Sequence, residues 1–183
     1  MTTSDTDKQF SEALAKCREV FEAKLGDYGP SWRIMRAEAI TDQLFIKAKR
    51  IRTLQMRGTS AVGEGILPEF IAIVNYGIIG IIQLRLGFAD EKDMTSARAV
   101  ELYNSIADES MALMKRKNTD YGEAWRSMRV LSYVDLILTK IERTKEIEDH
   151  MGQTKVSEGI DANYFDMINY AVFGIIKLTE SRG

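Results

Sequence analysis

Basic side chains recur at matched positions in the two halves of this chain of 183 residues. On an α-helix, Lys47 and Arg50 would lie about 20° and about 40° around the axis from Arg36, so the three cations would form one stripe. Guanidinium groups match phosphate oxygens in paired geometry, and lysine adds a point charge. Such a stripe is either a solvated face or a phosphate-binding wall. Its repetition favours the wall, because the second half carries the same three cations at Arg129, Lys140 and Arg143.

The stripe belongs to a longer motif that also repeats. The first copy reads Lys24-x-x-Asp-Tyr-Gly-x-x-Trp-Arg, and the second copy begins 93 positions later at Lys117. A tryptophan at such a position either packs in the core or offers a flat surface to a nucleotide base. We predict one nucleotide-binding groove in each copy, lined by Lys24, Trp32, Arg33, Arg36, Lys47 and Arg50 in the first and by Lys117, Trp125, Arg126, Arg129, Lys140 and Arg143 in the second.

Two further polar positions are shared by the two copies, which gives four residues. Asp42 and Asp135 lie close to the cations along the helix and are predicted to orient them. Asn75 and Asn169 lie in apolar segments, where a buried amide must find hydrogen-bond partners. Each asparagine therefore either forms a structural bond between helices or faces a ligand.

Other acidic residues occur in the second copy alone. Glu109, Asp161 and Asp166 stand where the first copy has Lys16, Leu67 and Ala72. Mg²⁺ prefers oxygen ligands and retains substrate phosphates in its shell. We therefore predict that a Mg²⁺ ion, if one binds, is held in the second copy by Glu109, Glu158 and Asp166.

The bulk composition favours a cytoplasmic protein that does not enter membranes. With 25 basic and 27 acidic residues, the formal net charge of −2 gives no general attraction to nucleic acid or to an anionic membrane. Cys17 is the only cysteine, which excludes an internal disulfide and fits a reducing compartment. The first residues lack the apolar stretch of a secretory signal. The longest apolar run, residues 70–82, is shorter than the roughly 20 residues that span a bilayer.

The hydrophobic periodicity predicts an all-α fold. Helices are expected at about residues 5–24, 31–56 and 68–86, and again at about 95–117, 124–148 and 162–180. Both prolines, Pro30 and Pro68, fall where a helix is expected to begin. We predict one domain over residues 1–183, with a first repeat at about 5–87, a linker at 88–94 and a second repeat at about 95–182.

The third helix of each repeat is apolar on nearly all sides, which is typical of the centre of a bundle. Gly77 and Gly80, matched by Ala171 and Gly174, would let these two helices approach closely. The expected architecture is a six-helix bundle built from two three-helix repeats related by a pseudo-twofold axis. The two apolar helices are predicted to cross near Gly80 and Gly174.

The repeated motif, followed by Asp-x-x-x-x-Lys-x-x-Arg and by Asn-Tyr, resembles the nucleotide modification associated domain 1 family, present as two tandem copies. The resemblance implies a setting in nucleotide metabolism or nucleic-acid modification. More distantly, the helical plan is similar to all-α nucleoside triphosphate pyrophosphohydrolases of the MazG and dimeric dUTPase type. Those enzymes hold Mg²⁺ with paired acidic motifs, and the corresponding pairs here are Glu19-x-x-Glu22 and Glu158-x-x-Asp161.

Three functions remain open from the sequence. The chain is a Mg²⁺-dependent enzyme that acts on nucleotide phosphates, a non-catalytic module that binds a nucleotide or modified nucleotide for a partner enzyme, or a helical scaffold. A scaffold explains the repeat but leaves the retained cations unexplained. Nucleic acid as a ligand and assembly into homo-oligomers are also left open.

Overall fold

The computed structural model describes residues 2–58, 62–151 and 159–180, with the backbone alone for residues 3, 4 and 62–64. The described residues form an all-α fold, as predicted, without any β-strand. Two short 3-10 turns, Ser31–Ile34 and Ala124–Ser127, precede the second helix of each repeat. The six α-helices in the described part are α1 (Thr3–Tyr28), α2 (Ala37–Arg57), α3 (Val62–Leu86), α4 (Ser96–Tyr121), α5 (Val130–Asp149) and α6 (Ile160–Glu180).

The first helix of each repeat is longer than predicted. Thr2 caps α1, because its hydroxyl accepts from the Asp5 backbone while the Asp5 carboxylate accepts from the Thr2 backbone. The helix then continues through the Asp-Tyr part of the motif and ends at Tyr28. It is capped by Gly29, whose positive φ of 64° favours glycine. The repeated motif therefore lies in the last turn of α1 and of α4, and its lysine projects from a helix.

Pro68 lies inside α3, not at its start. The segment between the second and third predicted helices belongs partly to α2, which extends to Arg57, and partly to α3, which begins at Val62; residues 59–61 lie outside the described residues. Proline removes the hydrogen bond of its own nitrogen and its ring crowds the carbonyl four residues earlier. Because Pro68 lies within two turns of the start of α3, this loss falls near the end of the helix.

Helices α3 and α6 form the centre of the bundle and run antiparallel. The Cβ that alanine would place at Gly80 would meet the ring of Tyr164, and that at Gly174 would meet the ring of Phe70. Phe70 and Tyr164 occupy equivalent positions in the two repeats. The predicted crossing required the two glycines to meet each other. They do not. Each one accommodates an aromatic ring from the opposite helix.

The pseudo-twofold relation follows from these paired contacts. The midpoint between them lies at Asn75 on α3 and at Asn169 on α6, which are equivalent residues. Packing of α1 with α4 and of α2 with α5 obeys the same relation. Residues of all six helices contribute to one buried hydrophobic cluster. The two repeats are thus interleaved around the α3–α6 pair.

Residues 65–86 of α3 are long and apolar enough to cross a membrane by length and composition. This stretch is longer than the run of 70–82 counted in the sequence, because it also includes flanking residues, among them the charged Glu69 and Arg85. Of the 18 consecutive residues in this stretch that meet the criterion, 61% are buried within the protein, as expected for a helix at the centre of a bundle.

Candidate functional site

Three helices of the second repeat bring two lysines to one carboxylate. The Nζ atom of Lys117 on α4 lies 2.7 Å from Oδ1 of Asp166 on α6, and Nζ of Lys140 on α5 lies 2.9 Å from Oδ2 of the same residue. Asp166 is only 8% exposed, so its charge must be compensated by partners. Lys117 and Lys140 are both members of the repeated motif. We call Lys117, Lys140 and Asp166 the lysine–aspartate cluster.

A cavity of about 380 Å³ opens beside this cluster, between α4 and α6. Its α4 wall carries Glu109, Arg116 and Lys117 on one helical face, and its α6 wall carries Asp161 and Asp166. Apolar side chains lie between the charged ones on both walls. The volume falls at the small end of the range of roughly 300–1,000 Å³ found for ligand pockets.

Tyr170, the tyrosine of the retained Asn-Tyr pair, adjoins the cluster. Burial raises the pKa of its phenol, the charge of Asp166 raises it further, and Lys117 and Arg143 oppose that rise. The phenol is therefore protonated at neutral pH. Arg143, another stripe cation of this repeat, thus also acts on the Tyr170 phenol through its charge.

The first repeat holds its cations differently. Nζ of Lys47 lies 3.6 Å and Nε of Arg50 lies 3.1 Å from the carboxylate of Glu69 on α3, while Lys24 is exposed at the surface. Glu69 corresponds to Asn163 in the second repeat, one helical turn before Asp166. The carboxylate that binds the cations has thus moved by one turn between the two repeats.

The charged cavity is a feature of the second repeat. Its carboxylates Glu109, Asp161 and Asp166 are replaced in the first repeat by lysine, leucine and alanine at positions 16, 67 and 72. The predicted asymmetry of the acids therefore coincides with a cavity in which those acids face cations.

Arg33 does not line a groove, in contrast to the prediction. It is 4% exposed, and its guanidinium donates to both carboxylate oxygens of Asp93, to the Gln83 side chain and to the carbonyl of Gly87. Arg126, its counterpart, donates to Thr6, Gln9 and Glu180. These arginines attach the 3-10 turns to the surrounding helices through side-chain hydrogen bonds, and the buried Arg33 satisfies most of its five donors in this way.

The tryptophans pack in the core and do not offer a free face to a base. Trp32 is 8% exposed and packs against Phe21. Trp125 is 6% exposed and is stacked on Phe173 at 4.4 Å between ring centroids. The guanidinium of Arg126 covers the Trp125 ring at 4.4 Å, so these contacts already occupy the indole.

Two side chains that the sequence did not single out hold the 3-10 turns in place. Gln83 donates to the carbonyls of Trp32, Arg33 and Met35. Lys177, the equivalent residue of α6, donates to the carbonyls of Arg126 and Met128. The sequence signal that could have identified them is a polar residue at equivalent positions of two apolar helices.

The stripe of the first repeat divides into two parts. Arg36 is exposed at the start of α2, with its guanidinium 5.6 Å from the Phe88 ring centroid. Lys47 and Arg50 lie more than two turns further along α2, at Glu69. Arg129 is likewise exposed at the start of α5. Neither repeat therefore gathers all of its predicted groove residues at one place.

The structure gives contacts within the protein for Asp135, Asn75 and Asn169. Oδ1 of Asp135 lies 2.6 Å from the guanidinium of Arg52 in the other repeat, whereas Asp42 is exposed. The Asn75 amide donates to the carbonyl of Cys17 and accepts from the Tyr103 hydroxyl. Asn169 likewise donates to the carbonyl of Ser110. The hydrogen bonds of Asn75 agree with the structural alternative, whereas Asn169 bonds through its amide nitrogen and its Oδ1 atom is buried without a hydrogen-bond partner among the described residues.

The carboxylates predicted to bind Mg²⁺ are engaged by cations. Both oxygens of Glu109 accept from Arg85, which lowers the pKa of Glu109, and both oxygens of Asp166 face lysines. Glu158 lies outside the described residues. The described part of the chain has no group of three or more histidine, cysteine or acidic side chains that could hold a metal ion. As arranged, these residues do not fit Mg²⁺, because an ion would have to displace their present partners.

The surroundings of Glu148 predict that the stability of the protein depends on pH. Burial raises the pKa of Glu148 and the nearby acids Glu38 and Asp42 raise it further, while the hydrogen bond from Thr41 opposes them. The folded state therefore binds this proton more tightly than the unfolded state does. Its contribution to stability is greatest below the ordinary value of 4.5 and is lost as the pH rises through the elevated folded pKa.

We expect Glu148→Gln to be more stable than the wild type at pH 8 and to lose this advantage at pH 4. Glutamine still accepts the hydrogen bond of Thr41 but carries no charge to bury. Urea unfolding of both proteins across this pH range measures the difference, and Glu146→Gln, an exposed position on the same helix, is the control. An advantage of Glu148→Gln that does not change with pH would contradict the prediction.

Comparison with known protein families matches both repeats. A family model described as nucleotide modification associated domain 1 matches residues 24–84 and 117–178, about two thirds of the chain. The two segments are the two repeats from the motif lysine to the apolar third helix. No curated protein and no solved structure matches the chain. The similarity to MazG-type pyrophosphohydrolases therefore stays a prediction.

Proposed function

The chain belongs to the nucleotide modification associated domain 1 family, and from this membership we propose that it binds a nucleotide in the cavity of its second repeat. The observation that carries the proposal is the convergence of Lys117 and Lys140 on Asp166 at the wall of that cavity. Both lysines belong to segments that the family model matches.

The phosphate of the nucleotide is proposed to bind beside the lysine–aspartate cluster. Lys117, Lys140 and Arg116 supply three positive charges there against the one negative charge of Asp166. An ammonium group has three N–H donors, so a carboxylate can orient a lysine and leave it able to bind another anion. Asp166 would thus hold both ammonium groups in position before the phosphate arrives, which reduces the entropy lost on binding.

A non-catalytic binding module agrees better with this arrangement than a Mg²⁺-dependent hydrolase does. Glu109, Asp161 and Asp166 line the same cavity, which is the observation in favour of a metal enzyme. Two of the three are already paired with basic side chains. We expect nucleotide affinity to be unchanged by EDTA, and we expect no pyrophosphate from a panel of nucleoside triphosphates. Mg²⁺-dependent release of pyrophosphate would favour the hydrolase instead.

Lys117→Met is expected to weaken nucleotide binding about tenfold or more, because a hydrogen bond to a charged group contributes about 1.5–3 kcal/mol. Lys117 is 48% exposed and Asp166 keeps Lys140, so the fold should tolerate the change. Isothermal titration calorimetry with a nucleoside monophosphate measures the affinity, and circular dichroism checks the fold.

The matched control is Lys115→Met. Lys115 lies on the same helix, is exposed, and pairs with Asp7 at 3.7 Å, away from the cavity walls. Both variants remove one positive charge, so a general electrostatic effect would weaken both equally. Equal affinity of the wild type and Lys117→Met would refute the proposed phosphate site.

A further inference from the structure

The cavity of the second repeat has opposite charges at its two ends. At the end of the lysine–aspartate cluster, Lys117 and Lys140 face Asp166, and Arg116 lines the same cavity. At the other end, two carboxylates, Glu109 and Asp161, adjoin one cation, Arg85. Asp161 also lines a neighbouring cavity of about 270 Å³ together with Arg85. A ligand that fits this cavity is therefore negative at one end and donates hydrogen bonds at the other.

The distance between the two ends suits a mononucleotide. Glu109 and Lys117 are eight residues apart on α4, which corresponds to about 12 Å along the helix axis. Between them, the walls present Leu113 from α4 and Phe165 from α6. An apolar middle between polar ends matches a phosphate, a sugar and a flat base in that order.

Glu109 and Asp161 differ in how far Arg85 already engages their carboxylates. Both oxygens of Glu109 accept from Arg85, at 2.7 and 2.8 Å. Asp161 is exposed in the first turn of α6 and interacts with Arg85 through its charge. Asp161 is thus the acid that is able to accept from a ligand, while the Arg85–Glu109 pair forms the wall behind it.

Resting on the proposed nucleotide binding, we infer that Asp161 selects nucleotides whose base carries an exocyclic amino group. The N–H groups of cytosine, adenine or guanine donate to its carboxylate. The carbonyl oxygens of uracil and thymine, at the corresponding edge, are acceptors and are repelled by it. The ligand class is therefore an amino-bearing nucleoside monophosphate, oriented with its phosphate at Lys117 and its base at Asp161.

The closest test compares CMP with UMP, whose bases differ at the edge bearing the amino or carbonyl group. Isothermal titration calorimetry on the full chain should show CMP binding about tenfold more tightly, as expected for one hydrogen bond to a charged group. Asp161→Asn should bring the affinities within about twofold of each other, because an amide can turn either its donor or its acceptor toward the base. Asp108→Asn, on an exposed position of α4 outside the cavity walls, is the matched control and should keep the tenfold preference.

The outcomes separate this inference from the proposed function. Equal affinity of the wild type for CMP and UMP, or a preference that persists in Asp161→Asn, overturns the role of Asp161 while nucleotide binding stands. Failure of both nucleotides to bind the wild type overturns the proposed function and the selectivity with it. A tenfold preference that Asp161→Asn abolishes and Asp108→Asn retains supports both.

Discussion

Replacement of Arg33 by methionine is expected to lower the free energy of unfolding by about 2–4 kcal/mol, since removing a donor from buried polar groups costs about 1–3 kcal/mol for each group left unsatisfied. Arg33 is 4% exposed and its guanidinium bonds to Asp93, Gln83 and the Gly87 carbonyl. Gln83 is itself 3% exposed, so water cannot easily replace the lost donor. Methionine retains much of the apolar volume of the side chain. The expected loss of stability therefore measures the contribution of the hydrogen bonds.

Arg36→Met provides the comparison within the same motif. Arg36 is exposed, and its guanidinium lies over the Phe88 ring, an interaction that contributes about 0.5–1 kcal/mol at exposed sites. Chemical unfolding with urea measures both variants, and an effect of Arg36→Met below about 1 kcal/mol is expected. If the two variants lost equal stability, the structural role assigned to Arg33 would be wrong. The pair thus distinguishes a retained arginine that holds the fold from one that faces solvent.

The second large effect is expected at the crossing of α3 and α6. In Gly80→Ala the new Cβ would lie 2.6 Å from Cε2 of Tyr164, closer than atoms in contact allow. The Tyr164 ring has little freedom to move, because its hydroxyl lies 2.7 Å from Oγ1 of Thr41 and donates to the Ala37 carbonyl at 3.1 Å. Overpacking of a core typically costs about 1–3 kcal/mol. Thermal and urea unfolding should show a loss of this size.

Gly26→Ala is the control, for which the opposite change in stability is expected. Gly26 lies within α1, is exposed, and a Cβ added there meets nothing within 4 Å. Alanine is favoured over glycine inside a helix by up to about 1 kcal/mol, so this variant should be slightly more stable than the wild type. Stabilisation by both substitutions would mean that α3 and α6 are further apart than the contact with Tyr164 implies.

The fold class was predictable because its signals are local or internal to the sequence. Apolar residues at helical spacing predicted six helices, and the repetition from Lys24 and from Lys117 predicted two related units. The predicted ends of helices were less accurate, since α1 continues past Gly26 to Tyr28 and α3 begins before Pro68. Whether a helix ends at a glycine or proline depends on the packing of the surrounding turns.

The site was predictable in its components but not in their arrangement. The repeat identified Lys117 and Lys140 as retained cations, and the difference between copies identified Asp166. The sequence could not show that these three meet, because they belong to different helices and their approach depends on how α4, α5 and α6 pack. It also placed Arg33 and Trp32 in a groove, although both are buried.

The sequence by itself determined the all-α fold, the twofold repetition and the residue types that each repeat retains, because periodicity and repetition are properties of the chain order. Only the tertiary structure decided which retained residues hold the fold and which face a cavity. Arg33 and Lys117 belong to the two copies of one motif, yet one is enclosed by partners and the other lines a cavity. The reason is physical: the energy of a charged side chain depends on its burial and its neighbours, and both are set by the packing of helices that are distant along the chain.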